Sequence, residues 1–137
     1  MSRNVADELK LVQALKPDAR AAGTYTSNAI DVAGFDELIV ELNAGDLAAT
    51  STLNVKLQEC ATSNGQFADV GSAVFDQVDK DNDDAIYKMR VAITPTRQRY
   101  VKVVAVLAND AADFAVTAML TRGQQQPAQA ADVDVYS

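Results

Sequence analysis

Apolar residues recur at every second position in most of this chain's hydrophobic runs, and turn residues separate the runs. No other feature restricts the fold as much. In LNVKLQE (53–59), Leu53, Val55 and Leu57 fall on one side and Asn54, Lys56 and Gln58 on the other. A period of two belongs to a strand, whose successive side chains point to opposite faces, and not to a helix with 3.6 residues per turn. IYKMRVAI (86–93) repeats it, with Tyr87, Met89, Val91 and Ile93 set against Lys88 and Arg90. In DFAVTAMLTR (113–122), Phe114, Val116, Ala118 and Leu120 share a face. FDELIVELN (35–43) alternates Leu38, Val40 and Leu42 with Glu41, but Ile39 adds an apolar group to the second face, which predicts partial cover on both sides. RYVKVVAVLA (99–108) is almost evenly apolar and reads as a central strand.

The runs are punctuated by Ala33-Gly34, Asn43-Ala44-Gly45-Asp46, Asn64-Gly65, Asp81-Asn82-Asp83-Asp84, Thr94-Pro95-Thr96 and Asn109-Asp110. Each offers Gly, Asn, Asp or Pro where a chain reverses. Short strands joined by short turns predict an all-β fold, a sandwich, jelly roll or barrel rather than βαβ units, and an antiparallel β-sandwich of jelly-roll type is the preferred reading. A length of 137 residues suits one domain, and 48% apolar residues are enough for a core. Aromatics are only 6% with no Trp, so Ala and Val must fill thin, closely packed layers.

VADELKLVQAL (5–15) is the contested segment: Val5, Leu9 and Val12 fit a helix face, while Leu9, Leu11 and Leu15 fit a strand. The strand is preferred for 9–15, ended by Lys16-Pro17. The domain organisation is then an arm 1–8, a sandwich 9–122 and a tail 123–137. The Gln- and Ala-rich tail reads as a flexible terminus, although Val133, Val135 and Tyr136 alternate with acids and suit an added strand on a neighbouring subunit.

Composition removes several function classes. The chain has no histidine, which takes away the commonest general base and zinc ligand and every Ser-His or Cys-His pair. The single cysteine, Cys60, follows Glu59, and an adjacent acid favours the protonated thiol, so Cys60 reads as a packed residue. Asp79, Asp81 and Asp83 have the opening spacing of a calcium loop, but Asp84 stands where Gly is needed and Arg90 where the closing Glu is needed. What remains is an acidic hairpin loop or a loose surface cation site. Carboxylate pairs such as Asp36-Glu37 lack an aromatic platform for a sugar, and no Gly-rich phosphate loop is present. The expectation is a protein that is not an enzyme, with no cofactor and no metal centre.

A net charge of −7 disfavours nucleic acid and anionic lipid as partners. No apolar run approaches the length of a membrane helix, and one cysteine without a signal-peptide core suggests a protein made in a reducing cytosol. Against this acidic background, Lys88, Arg90, Arg97, Arg99 and Lys102 lie close together in sequence. They read either as one basic band for docking on an acidic protein surface or as the solvated face of their strands.

Across 28–78 the chain resembles small structural proteins of tailed-bacteriophage head modules, the capsid decoration (cement) family. The features that carry the resemblance are Ile30-Asp31-Val32, Gly34-Phe35, the strand Leu38 to Leu42, Gln58-Glu59, Asn64-Gly65, Phe67 and Asp69-Val70. Further on, an Arg99-Tyr100 step opens a Val-rich strand as in that family, which extends the resemblance to about residue 122. Cys60 departs from the small polar residue the family carries there. The resemblance implies a structural virion protein, a homotrimer made in the host bacterial cytoplasm, that binds the major capsid protein on the capsid exterior and stabilises the shell. The alternative it leaves open is a neck, tail-completion or fibre-associated binding module. The contacts expected for the capsid or subunit role are Arg3, Arg97, Arg99, Lys102, Val133, Val135 and Tyr136, with the arm 1–8 and the tail.

Overall fold

The computed structural model describes residues 9–94 and 97–122. The predicted arm and tail, and with them Arg3, Val133, Val135 and Tyr136, lie outside the described residues. Among the described residues there are nine strands and one short 3-10 turn (Lys80–Asn82), and no helix long and apolar enough to cross a membrane. The strands are β1 (Leu9–Arg20), β2 (Gly23–Thr26), β3 (Ile30–Asp31), β4 (Glu37–Leu47), β5 (Thr52–Cys60), β6 (Ala68–Val74), β7 (Ala85–Ala92), β8 (Tyr100–Ala108) and β9 (Ala112–Thr121).

They form two antiparallel sheets. One has the order β1-β9-β4-β7; the other has β2-β8-β5-β6, with β3 also on β8. Each sheet draws strands from both ends of the chain, which is the winding of a jelly roll. The expected all-β antiparallel sandwich is therefore the fold.

The alternation seen in sequence decides which residues meet between the sheets. Leu38, Val40 and Leu42 of β4, Leu53, Val55 and Leu57 of β5, Val101, Val103 and Leu107 of β8, and Phe114, Val116, Ala118 and Leu120 of β9 are all buried in one cluster. Each fully buried Leu or Val side chain stabilises the fold by roughly 1.5–3 kcal/mol. Ile39, also buried, lies on the outer face of its sheet in a row with Met119 and Arg90, as its break in the alternation predicts. The central position expected for β8 also holds, since β5 pairs along one side of it and β2 and β3 along the other.

Two expected boundaries are displaced, both by bulges. Lys16-Pro17 does not end β1; the strand continues to Arg20, with register shifts between Gln13 and Leu15 and between Leu15 and Asp18. β1 is an edge strand, so a residue without an N–H costs no ladder bond on its open side. Asn43-Ala44-Gly45-Asp46 is not a reversal: it lies inside β4, which shifts register between Ala44 and Leu47. Gly45 is required there by close approach, because a Cβ would stand 3.0 Å from the Asp113 carbonyl oxygen. Among the described residues the other turns fall where expected, and Pro95 and Thr96 of the expected Thr94-Pro95-Thr96 turn lie outside them. Gly34 and Asn109 take positive φ (86° and 78°), and Gly65 N–H closes a turn onto Thr62 in the loop 61–67.

Candidate contact surface

Three of the expected contact residues meet at one end of the sheet that contains β8. Arg99 donates from Nε and Nη2 to the two carboxylate oxygens of Asp31 on β3, at 3.0 and 2.9 Å. That fork geometry, with the Ala33 N–H as a further donor, holds the Asp31 carboxyl down at about 2. Arg97 Nη1 donates to Glu59 Oε1 at 3.2 Å, and the Gln98 N–H donates to the same oxygen at 3.1 Å. Lys102 Nζ sits 4.5 Å from the centre of the Phe67 ring, and the Arg99 guanidinium 5.1 Å from that of Tyr100. Phe67 is half-buried under that lysine, outside the core cluster.

The single basic band does not form. Arg97, Arg99 and Lys102 lie at the start of β8, whereas Lys88 and Arg90 are on β7, in the other sheet. Arg90 pairs with Glu37, diagonally placed on the neighbouring strand β4. Charges that cluster in sequence are separated because the connection after β7 carries the chain from one sheet to the other. What stands at the β8 end is two ion pairs, Arg97–Glu59 and Arg99–Asp31, beside Lys102 over the Phe67 ring.

Cys60 ends β5 opposite Tyr100, half-buried. Its thiol is pulled below the ordinary value, first by the backbone N–H of Thr62. This reverses the direction expected from Glu59. That carboxylate is turned to Arg97 and Gln98, so it leaves the sulfur to the loop amides. Gly65 passes so close that a Cβ there would lie 2.6 Å from Sγ and 2.4 Å from Thr62 Oγ1. The loop thus folds over the sulfur, in keeping with a packed role.

The acidic loop uses its carboxylates internally. Asp79 caps the 3-10 turn by accepting from the Asp81 N–H, and the Asn82 side chain accepts from the Asp79 N–H. Asp83 accepts from the Leu47 N–H at 2.9 Å. The three carboxylates that do converge are Asp46, Asp83 and Asp84, with ligand atoms within 4.8 Å of one another. Lys80 Nζ reaches into this group, 2.6 Å from Asp46 and 3.4 Å from Asp83; the hydrogen bond to Asp46 raises the ammonium above its usual value, and the Leu47 N–H, with Lys80 behind it, holds Asp83 below the usual carboxylate range. One ammonium group thus already offsets part of the charge that a cation would neutralise. Asp46 escaped the sequence reading because it was assigned to a turn; the bulge in β4 brings it to the loop.

One groove among the described residues is shallow, about 190 Å³, and lies on the outer face of the β1-β9-β4-β7 sheet between Pro17, Asp18, Asn43, Gly45, Asp113, Phe114 and Ala115. Its floor is the dip left by the two bulges. It is smaller than sites that enclose a small ligand, which start at roughly 300 Å³.

No protein-family model and no curated protein matches this sequence. Solved structures do match in fold. The PBSX exported protein XepA superposes with a TM-score of 0.62 at 15% identity, covering 90% of this chain and 40% of that one. The infectious bursal disease virus Gx strain structure gives 0.56 at 11% identity over 85% of this chain and 33% of that one. The VP2 subviral particle of infectious bursal disease virus gives 0.55 at 10% identity, over 87% and 33%. The chain thus spans well under half the length of these proteins, and the likeness is one of fold alone, a jelly-roll β-sandwich shared with XepA and the infectious bursal disease virus structures.

Proposed function

We propose that this chain is a structural virion protein that binds the outside of a bacteriophage capsid and stabilises it, as a decoration or cement protein does. The observation that carries the proposal is how the nominated reactive groups are used. Asp31, Glu59, Lys80, Asp83, Arg97, Arg99 and Cys60 are each engaged in a contact that shapes the sandwich. What the described residues offer to a partner is β-sheet surface and edge. The fold it shares with prophage and viral capsid proteins, and the motif resemblance across 28–122, support the same reading. Many modest contacts repeated by symmetry give firm attachment without one strong site. The contacts assigned to this role are Arg97, Arg99 and Lys102 with the arm and tail, the partner is the major capsid protein, and the assembly is a homotrimer on the capsid exterior. The reading assigns the chain no reaction.

The test is the copy number on purified particles, followed by stripping and re-addition. Copies in the hundreds per particle support decoration, whereas about six or twelve indicate a neck or tail-completion component at a symmetric ring.

A further inference from the structure

The loop that covers Cys60 contains a chemically labile step which its own packing keeps in place. Of the chain's seven asparagines, Asn64 alone is followed by glycine. Asn64 is exposed, and among the described residues no hydrogen bond holds its carboxamide. The Gly65 N–H meets the Thr62 carbonyl oxygen at 3.4 Å, long for such a bond, so it restrains the amide weakly. The same N–H is one of the loop amides directed at the Cys60 thiol. Glycine is held at 65 by close contact: a Cβ there would stand 2.4 Å from Thr62 Oγ1 and 2.6 Å from Cys60 Sγ, and both groups would have to move. The other asparagines are placed differently. Asn43 and Asn54 lie inside β4 and β5 and precede Ala44 and Val55. The Asn82 carboxamide accepts from the Asp79 N–H and donates to the Gln77 carbonyl. Asn4, Asn28 and Asn109 precede Val5, Ala29 and Asp110.

We propose that Asn64 is a site of spontaneous deamidation and that its conversion loosens the loop over Cys60. The Gly65 backbone nitrogen attacks Asn64 Cγ and gives its proton to solvent. The side-chain nitrogen leaves as ammonia, and the ring closes as a cyclic imide. Water then adds to one of the imide carbonyls. Opening on the backbone side leaves isoaspartate, with the main chain routed through Cβ and Cγ; opening on the other side leaves aspartate. Nothing is oxidised or reduced, and water is the only co-reactant. A Cβ on the attacking residue obstructs the approach, whereas glycine reaches the backbone conformations that allow it. An exposed loop also has the freedom that a residue paired in a ladder lacks. Either product adds a negative charge to the loop. Isoaspartate also lengthens the main chain by one methylene directly before the glycine that packs against Thr62 and Cys60. Close-packed contacts do not absorb an added methylene without moving, so Sγ becomes more accessible.

The inference stands on this loop and does not depend on the capsid reading. The test incubates the full-length protein in mildly alkaline buffer and samples it over time. Peptide mapping by mass spectrometry follows the replacement of NH2 by OH at each asparagine, and an isoaspartyl methyltransferase labels the isoaspartate. Asn64 is expected to convert at least about tenfold faster than any other asparagine. Alkylation by iodoacetamide is timed on the same samples, where Cys60 is the only thiol in the chain. Its rate should rise with the isoaspartate fraction. The variant Asn64→Gln, whose side chain is one methylene too long to close the same ring, should keep a constant alkylation rate through the incubation. Asn64 that stays intact, or converts no faster than the other asparagines, overturns the site. Conversion at Asn64 with an unchanged alkylation rate overturns its coupling to the loop, and so does an equal rise in Asn64→Gln.

Discussion

β1 and β7 close opposite sides of the same sheet, and they are protected in different ways. β1 is long, twelve residues, yet it is broken by two register shifts and carries Pro17, so it presents no continuous ladder to a neighbour. β7 is shorter, eight residues, regular and proline-free, with only charge on Lys88 and Arg90 to discourage pairing. An edge strand that is neither bulged nor covered invites another chain. Bulges guard one side irreversibly, whereas charge guards the other only against strands that lack acids in register.

The largest effect that bears on this contrast comes from the framework both edges share. Leu42 is fully buried and lies between Val116 and Tyr87. Leu42→Ala is expected to cost about 2–5 kcal/mol in denaturant unfolding, and hydrogen exchange should rise in β1 and β7 alike. A loss confined to one edge would show that the two do not depend on the same core. Next comes Arg90→Pro, which makes β7 resemble β1. The alternation of the ladder turns its N–H away from β4, so the chain should still fold, with a loss in denaturant unfolding well below that of Leu42→Ala. The reverse change, Pro17→Ala, is smaller: it is expected to lower stability by roughly 0.4–1 kcal/mol through the unfolded chain. Light scattering should rise only slightly, because the bulges remain.

The smallest effect is a control away from both edges, at the Asp31–Arg99 pair on the other sheet. The folded carboxyl value lies at about 2, below the ordinary 3.8, so the pair stabilises the fold above that ordinary value, and the contribution is lost as pH falls from about 3.8 to about 2. Both side chains are well exposed, at 41% and 56%, so solvent screening keeps the contribution small. Asp31→Asn should flatten the stability profile in that acid window and leave the two edges unchanged. A profile unchanged by the substitution would mean that the pair contributes nothing to folding.

The fold was legible in the sequence wherever one physical rule decides the outcome. Alternation in 53–59, 86–93 and 113–122 predicts the buried faces residue by residue, because a strand with one wet face tolerates no other arrangement. The sites were less legible, because they depend on which strands become neighbours. Lys88 and Arg90 are within fourteen residues of Lys102 in sequence yet lie on the other sheet, and nothing local marks the crossing between them. Gly45-Asp46 carries the residues of a turn but serves as a bulge, which brings Asp46 to Asp83, far along the chain. Pro17 misleads in the same way: proline ends a central strand, but position at an edge is a property of the whole sheet. Glu59 and Cys60 are adjacent in the chain, but the acid's oxygen is committed to Arg97 and Gln98, so it does not set the thiol's protonation.

The central claim is that this sandwich stabilises a capsid from outside, and stripping tests it most directly. Purified particles are freed of the protein, then heated or osmotically shocked with and without its re-addition. The account predicts that stripped shells rupture earlier and that re-addition restores resistance up to saturation of a symmetric set of sites. Stripped shells that withstand heat and shock as well as decorated ones would contradict it.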